Sequence, residues 1–233
     1  DSLYALPVGT DMDAIFYRND IIHDLPDTWQ GIVDLCRDTE FGTPVKLGIE
    51  HDDAVDIADN IVQIKDLAGL SYADALNAYK DIVKEYGAAE GEPFDGITSF
   101  KTGSAAILMG KVSLLNEFKS DTSAVKNCVS VDMLPKSADG KTVNRIKGYG
   151  IAVSANSKNK EEAVKFLDFM NSKDQQRRLS RETSVMPIIE ELFGDPMISE
   201  EIPYIKEAKE IIKSAGDNSS SYIAGENLKI LED

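Results

Sequence analysis

Two aspartates, Asp11 and Asp13, flank a methionine in "PVGTDMDAIF", and a second acidic cluster, Glu50-His51-Asp52-Asp53, follows a short apolar run. A carboxylate accepts two hydrogen bonds at once, each stronger than one to a neutral oxygen. Asp11 and Asp13 read as residues of a loop between two β runs, where an aspartate also serves as a turn or cap residue. The Glu50 cluster comes at the end of a strand, where α/β folds place ligand loops. Its groups could hydrogen-bond a hydroxylated solute or hold a hard cation through oxygen. Asp52 or Asp53 could equally cap the helix that follows.

Paired carboxylates such as Asp11 and Glu50 would suit glycoside hydrolysis if they stood roughly 5–10 Å apart. Nothing else in the chain supports catalysis. A Gly-x-Ser-x-Gly elbow, a phosphate loop and an HExxH pair are all absent. The two histidines are His23, in a turn, and His51. Cys36 and Cys128 form no CxxC or Cys/His zinc pattern; they could pair with each other, and otherwise read as two buried free thiols. The expectation is a binding protein without metal or cofactor, not an enzyme. An acidic module that docks another protein is a third class, and no motif calls for it.

Charge narrows the partners. The 233 residues carry 25 Lys+Arg against 41 Asp+Glu, a formal charge of −16. A surface this acidic repels nucleic acid and anionic lipid, and suits a neutral or cationic solute or solubility alone. With 42% hydrophobic residues the chain can fill one or two ordinary cores, and no apolar run approaches the roughly 20 residues of a membrane span. It begins at Asp1 without a leader-like segment and reads as a processed or excised piece.

The elements that must position these groups alternate between strand and helix. "SLYALPVGTD" reads as a β run closed by Pro7 and Gly9, and "AIFYRNDII" as a second strand. Thr28 is an N-cap candidate for the helix through Ile32, Val33, Leu35 and Cys36. Apolar spacing predicts helices over 54–67 and 71–86, the latter stopped by Gly87. "AAILMG" and "VSVDMLP" read as strands, and "KSADGKTV" as a hairpin-type turn. "GYGIAVS" is a strand that leads into a helix over 160–170 with Ala163, Val164, Phe166, Leu167 and Met170 on its buried side. Such alternation specifies an α/β architecture.

Five blocks in order resemble the carbohydrate-type extracellular solute-binding proteins of bacterial ABC importers. They are "LYALPVGTDMDAIFYRND", the "LPDTWQGIVDLCRD" helix opening, "FKTGSAAILMGK", "GYGIAVSANSKNKEEAVKFLDFMNSKDQQRRLS" and "SVMPIIEELF". The resemblance implies an α/β fold of the periplasmic-binding-protein type II class, with one nearly complete lobe plus part of the other. Residues 1–10 would be a crossing strand and 11–147 a C-terminal-type lobe. Residues 148–154 would be a second crossing, and 155–233 a piece of the N-terminal-type lobe. A complete member has a substantial segment before "LYALPVGTD" and further helices at its end, so the chain is expected to be a fragment.

The resemblance also implies a role: capture of a sugar or oligosaccharide in an interlobe cleft, by a monomer, and delivery to ABC-importer permease subunits. A non-sugar solute such as a polyamine or metal ion is the alternative. The location would be the periplasm, or the outer face of the membrane through a lipid anchor. Asp11 falls where the family places a ligand-contacting polar residue; Asp13, Glu50 and His51 are candidates by their place in the chain alone. Tyr149 falls on the second crossing, where the family often places an aromatic or polar contact; its ring could stack on sugar or pack the hinge. Lys111 and Asn116 follow the "AAILMG" strand at a spot where sugar binders carry tryptophan. Val112 stands at the aromatic position, and the single tryptophan, Trp29, is expected to be structural.

Overall fold

The computed structural model describes residues 5–37, 47–49, 54–86, 95–137, 140, 144 and 146–217. The chain divides into two compact units. One, the sheet unit, holds the described residues of 13–111 and 117–144, and the other, the helical unit, those of 5–12, 112–116 and 146–217.

The sheet unit is built on strands β1 (Leu6–Arg18), β2 (Leu47–Ile49), β3 (Ile107–Lys111) and β4 (Val129–Met133), ordered β2-β3-β1-β4. β2 runs parallel to β3, while β1 is antiparallel to both β3 and β4. Its helices are α1 (Trp29–Arg37), α2 (Ala54–Ala68), α3 (Tyr72–Tyr86), α4 (Gly96–Lys101) and the short α5 (Leu115–Phe118), whose first two residues belong to the helical unit.

Both faces of β1 are covered, which explains why "AIF" is an unbroken apolar run. Ile15 joins Trp29, Ile32, Ile64, Leu67 and Met109 in one core. Phe16 points the other way and packs edge-on against Phe118, with ring centroids 5.0 Å apart; Phe118 in turn meets Phe100 at 4.9 Å. Trp29 is thus a core residue, 5% exposed. Thr28 caps α1 as its sequence position suggests, accepting the Gly31 N–H at 3.2 Å. α4 starts hard against β2: a Cβ on Gly96 would lie 2.6 Å from the Ile49 backbone, so glycine is required there.

The helical unit pairs the first half of β1 with β5 (Ile146–Ile151), antiparallel from Leu6↔Ile151 to Met12↔Ile146, with an irregularity between Pro7 and Gly9. Helices α6 (Lys160–Met170), α7 (Lys173–Thr183), α8 (Pro196–Glu201) and α9 (Ile205–Asp217) follow. Buried Gln176 ties three of these pieces together. Its amide donates to the carbonyls of Val8 and Met170, at 2.9 and 3.2 Å, and its oxygen accepts the Ile188 N–H at 3.2 Å. Asp195 caps α8 through the Met197 N–H and pairs with Arg177 at 2.6 Å.

Three expectations are corrected. Asp11 and Asp13 lie within one continuous strand, not in a loop between two, because Met12 and Ala14 are buried and both carboxylates find hydrogen-bond donors inside the fold. The helix over 160–170 forms, but of its apolar residues only Leu167 is buried; Val164 and Phe166, together with Phe169, are about half exposed. Cys36 is buried whereas Cys128 is half-buried, and no disulfide joins them. The predicted stop at Gly87 and part of the 136–143 turn lie outside the described residues. Among the described residues no helix is long and apolar enough to cross a membrane.

Candidate functional site

In the helical unit the polar residues converge on Asp11, whose side chain is fully buried. β1 holds it in register with Lys147, and Tyr149 stands opposite Gly9, two residues away along the strand. That diagonal spacing brings a long side chain within reach of its neighbour. The Tyr149 hydroxyl donates to Asp11 Oδ2 at 3.4 Å. Asp11 Oδ1 accepts two backbone N–H groups, from Met12 at 2.9 Å and Ser113 at 3.2 Å. The second of these fastens the 112–116 segment to β1.

Tyr149 itself is 37% exposed, while its hydroxyl reaches the buried Asp11. A carboxylate beside a partly exposed tyrosine can in general serve a polyhydroxylated molecule. Hydroxyls donate to the acid, and C–H faces lie on the ring. Asn116 is exposed and donates to the Glu182 carbonyl, which links its segment to the end of α7.

The sheet unit contains a second polar group. Asp13, half-buried, faces Lys111 in the β1–β3 register. Its Oδ2 accepts the Gln63 side-chain amide at 3.0 Å. Gln63 comes from α2 and is 1% exposed.

The residues singled out in the sequence therefore fall into two sets: Asp11, Tyr149 and the segment of Asn116 in one unit, and Asp13 with Lys111 in the other. Glu50 and His51 lie outside the described residues. Val112 is fully buried.

Three participants escaped the sequence reading. The Ser113 N–H has no side-chain signature at all. Gln63 stands beside the apolar positions Ile61, Ile64 and Leu67 and is readable only as an interruption of a buried stripe. Tyr204 precedes α9; its hydroxyl is buried with no hydrogen-bond partner among the described residues. Burial pushes that phenol far above its ordinary pKa, and the Asp11 carboxylate raises it further, so it stays protonated. Among the described residues no group of three or more His, Cys, Asp or Glu side chains is placed to hold a metal ion.

Comparison with known proteins gives a consistent picture. A family model described as "Bacterial extracellular solute-binding protein" matches residues 1–177. A probable ABC transporter-binding protein of Deinococcus radiodurans is 21% identical over 249 residues, covering 91% of this chain and 58% of that protein. Among solved structures, maltose-bound MalE3 of T. maritima superposes with a TM-score of 0.74 at 20% identity, covering 88% of this chain and 59% of the other. An ABC transporter solute-binding protein of Agrobacterium radiobacter K84 in complex with ribitol gives 0.75 at 17% identity, with 87% and 57% covered. The chain thus spans a little under three-fifths of the length of the proteins it matches.

Proposed function

The chain belongs to the bacterial extracellular solute-binding proteins, with the α/β fold of the type II periplasmic-binding-protein class, and we propose that it forms the larger part of the substrate-binding component of an ABC importer. Its solute is a sugar or polyol, which the full-length protein captures outside the cell and hands to membrane permease subunits. The protein binds and releases without bond chemistry, as a monomer, in the periplasm or on a lipid anchor. The boundaries at 10/11, 147/148 and 154/155 belong to the same proposal.

The observation that carries this reading is the Asp11–Tyr149 pair. Asp11 Oδ1 is committed to two backbone donors, whereas Oδ2 meets the Tyr149 hydroxyl at the long distance of 3.4 Å. A solute hydroxyl that takes the place of the phenol at Oδ2 gains a charge-assisted hydrogen bond, and the displaced ring offers an apolar face to the solute. Asp13 with Lys111 supplies a second acceptor and donor, and Glu50, His51 and Asn116 complete the proposed set. Maltose and ribitol, bound in the two structural relatives, set the class of solute to try first.

Thermal shift of the full-length protein tests it, against maltose, ribitol, amino acids, polyamines and divalent cations with and without chelator. A solute at a hundred times its Kd adds about 2.7 kcal/mol to the native state, a readily seen rise in midpoint. A rise with sugars or polyols supports the proposal. A rise only with polyamines, or only with a metal and reversed by chelator, keeps the fold and overturns the solute class.

A further inference from the structure

Gln63 is an amide in a place where the helix asks for an apolar side chain. It is 1% exposed, and its neighbours on α2, Ile61, Ile64 and Leu67, are 7%, 0% and 1% exposed. A buried amide without partners opposes folding, so its presence needs a use. Its Nε2 donates to Asp13 Oδ2 at 3.0 Å, a contact between residues fifty positions apart in sequence.

Asp13 stands on a paired strand: Met12 and Ala14 on either side are 1% and 0% exposed, and β1 is paired at this point with β3. The Gln63 amide restrains its side-chain torsions. Lys111 faces the same residue across the β1–β3 register. A half-buried position that served packing alone would be filled as well by an apolar residue. A carboxylate there, gripped by an amide from another element, is the arrangement expected when the direction of the acid matters.

We infer that Gln63 is a positioning residue: it holds the Asp13 carboxylate in the orientation that receives a solute hydroxyl. The inference rests on the proposed function, in which Asp13 is a solute contact. Gln63 touches Asp13 and not the solute, so its effect passes through the acid. Removing it takes away one restraint on the Asp13 side chain, which binding must then supply.

The test uses the full-length protein and calorimetric titration with maltose and ribitol. Gln63→Leu keeps the volume and suits the apolar stripe, so the thermal midpoint should move by only a few degrees. The Kd should weaken by about three- to tenfold, the size of one lost hydrogen bond of this kind. In an Asp13→Asn background the same substitution should change Kd by less than about twofold, because the group it acts through is altered. A Gln63→Leu protein with wild-type Kd overturns the inference, and so does an equal loss with and without the Asp13 carboxylate. Asp11→Asn separates this from failure of the underlying reading. If it weakens binding while Gln63→Leu and Asp13→Asn do not, only the inference falls. If the wild type binds neither solute, or Asp11→Asn leaves Kd untouched, the reading of the site falls and the inference with it.

Discussion

The hydroxyl of Tyr149 meets Oδ2 of Asp11 at 3.4 Å across the β1–β5 pair, while Oδ1 of the same carboxylate holds the N–H groups of Met12 and Ser113. The contact to Tyr149 is long, since a good O–H···O bond is some 0.6 Å shorter. Through Ser113 the carboxylate fastens the segment after β3 to β1.

Asp11→Ala should therefore cost stability even in the absence of solute. Two backbone N–H groups lose a charged acceptor in a buried setting, which is worth about 2 kcal/mol or more. Urea unfolding of the full-length protein measures it. An unchanged midpoint would mean that water or another group replaces the carboxylate at no cost.

Tyr149 should separate its two parts under mutation. Tyr149→Phe removes a weak contact and keeps the ring, so solute affinity is expected to stay within about threefold and stability within about 0.5 kcal/mol. Tyr149→Ala removes the stacking face and should weaken binding by about tenfold. Titration of both variants decides whether the ring or the hydroxyl carries the contact.

The Arg177–Asp195 pair should show in acid. Its hydrogen bond to Arg177 is the main cause holding the Asp195 carboxyl below the ordinary carboxylate range. A depressed folded-state pKa stabilises the native state above the ordinary value, near pH 4, and that contribution fades as pH falls through the lowered one. Asp195→Asn should thus lower the midpoint at pH 6 and lose less on going to pH 2 than the wild type does. Thermal melts across that range check it; parallel curves would contradict it.

Val164, Phe166 and Phe169 on α6 are 48%, 55% and 52% exposed. Replacing all three by Gln or Ser in the 233-residue chain should raise its solubility and change its thermal midpoint little, since each side chain gives up only part of a core burial. Light scattering at rising concentration tests this. A large fall in midpoint would show that the face is covered in solution.

Much of this fold was legible in the sequence, for reasons that differ between elements. The span 160–170 carries a 3.6-residue apolar period with acidic residues in its first turn, and α6 occupies it. Helix α2 runs one residue beyond the predicted 54–67. The apolar period does not say which parts of a wide stripe find a partner, and so Val164 and Phe166 were expected to be buried. The break expected between the two β runs came from reading Pro7 and Gly9 as the close of the first, which left Asp11 and Asp13 in a loop. Tertiary hydrogen bonds outweighed that local preference: the backbone N–H of Ser113 and the amide of Gln63 accommodate two acids in one strand. Such donors are non-local, so their identity could not be read from the stretch around Asp11. In the candidate site, Asp11 and Tyr149 were named from their positions, but that they touch emerged only from the strand register.

The most direct test of the central claim is calorimetric titration of the full-length protein and its Asp11→Asn variant with maltose and ribitol. The account expects saturable one-site binding by the wild type, weakened about tenfold or more in a variant that is still folded by circular dichroism. Equal affinity in the two proteins, or no binding of either solute by the wild type, would contradict it.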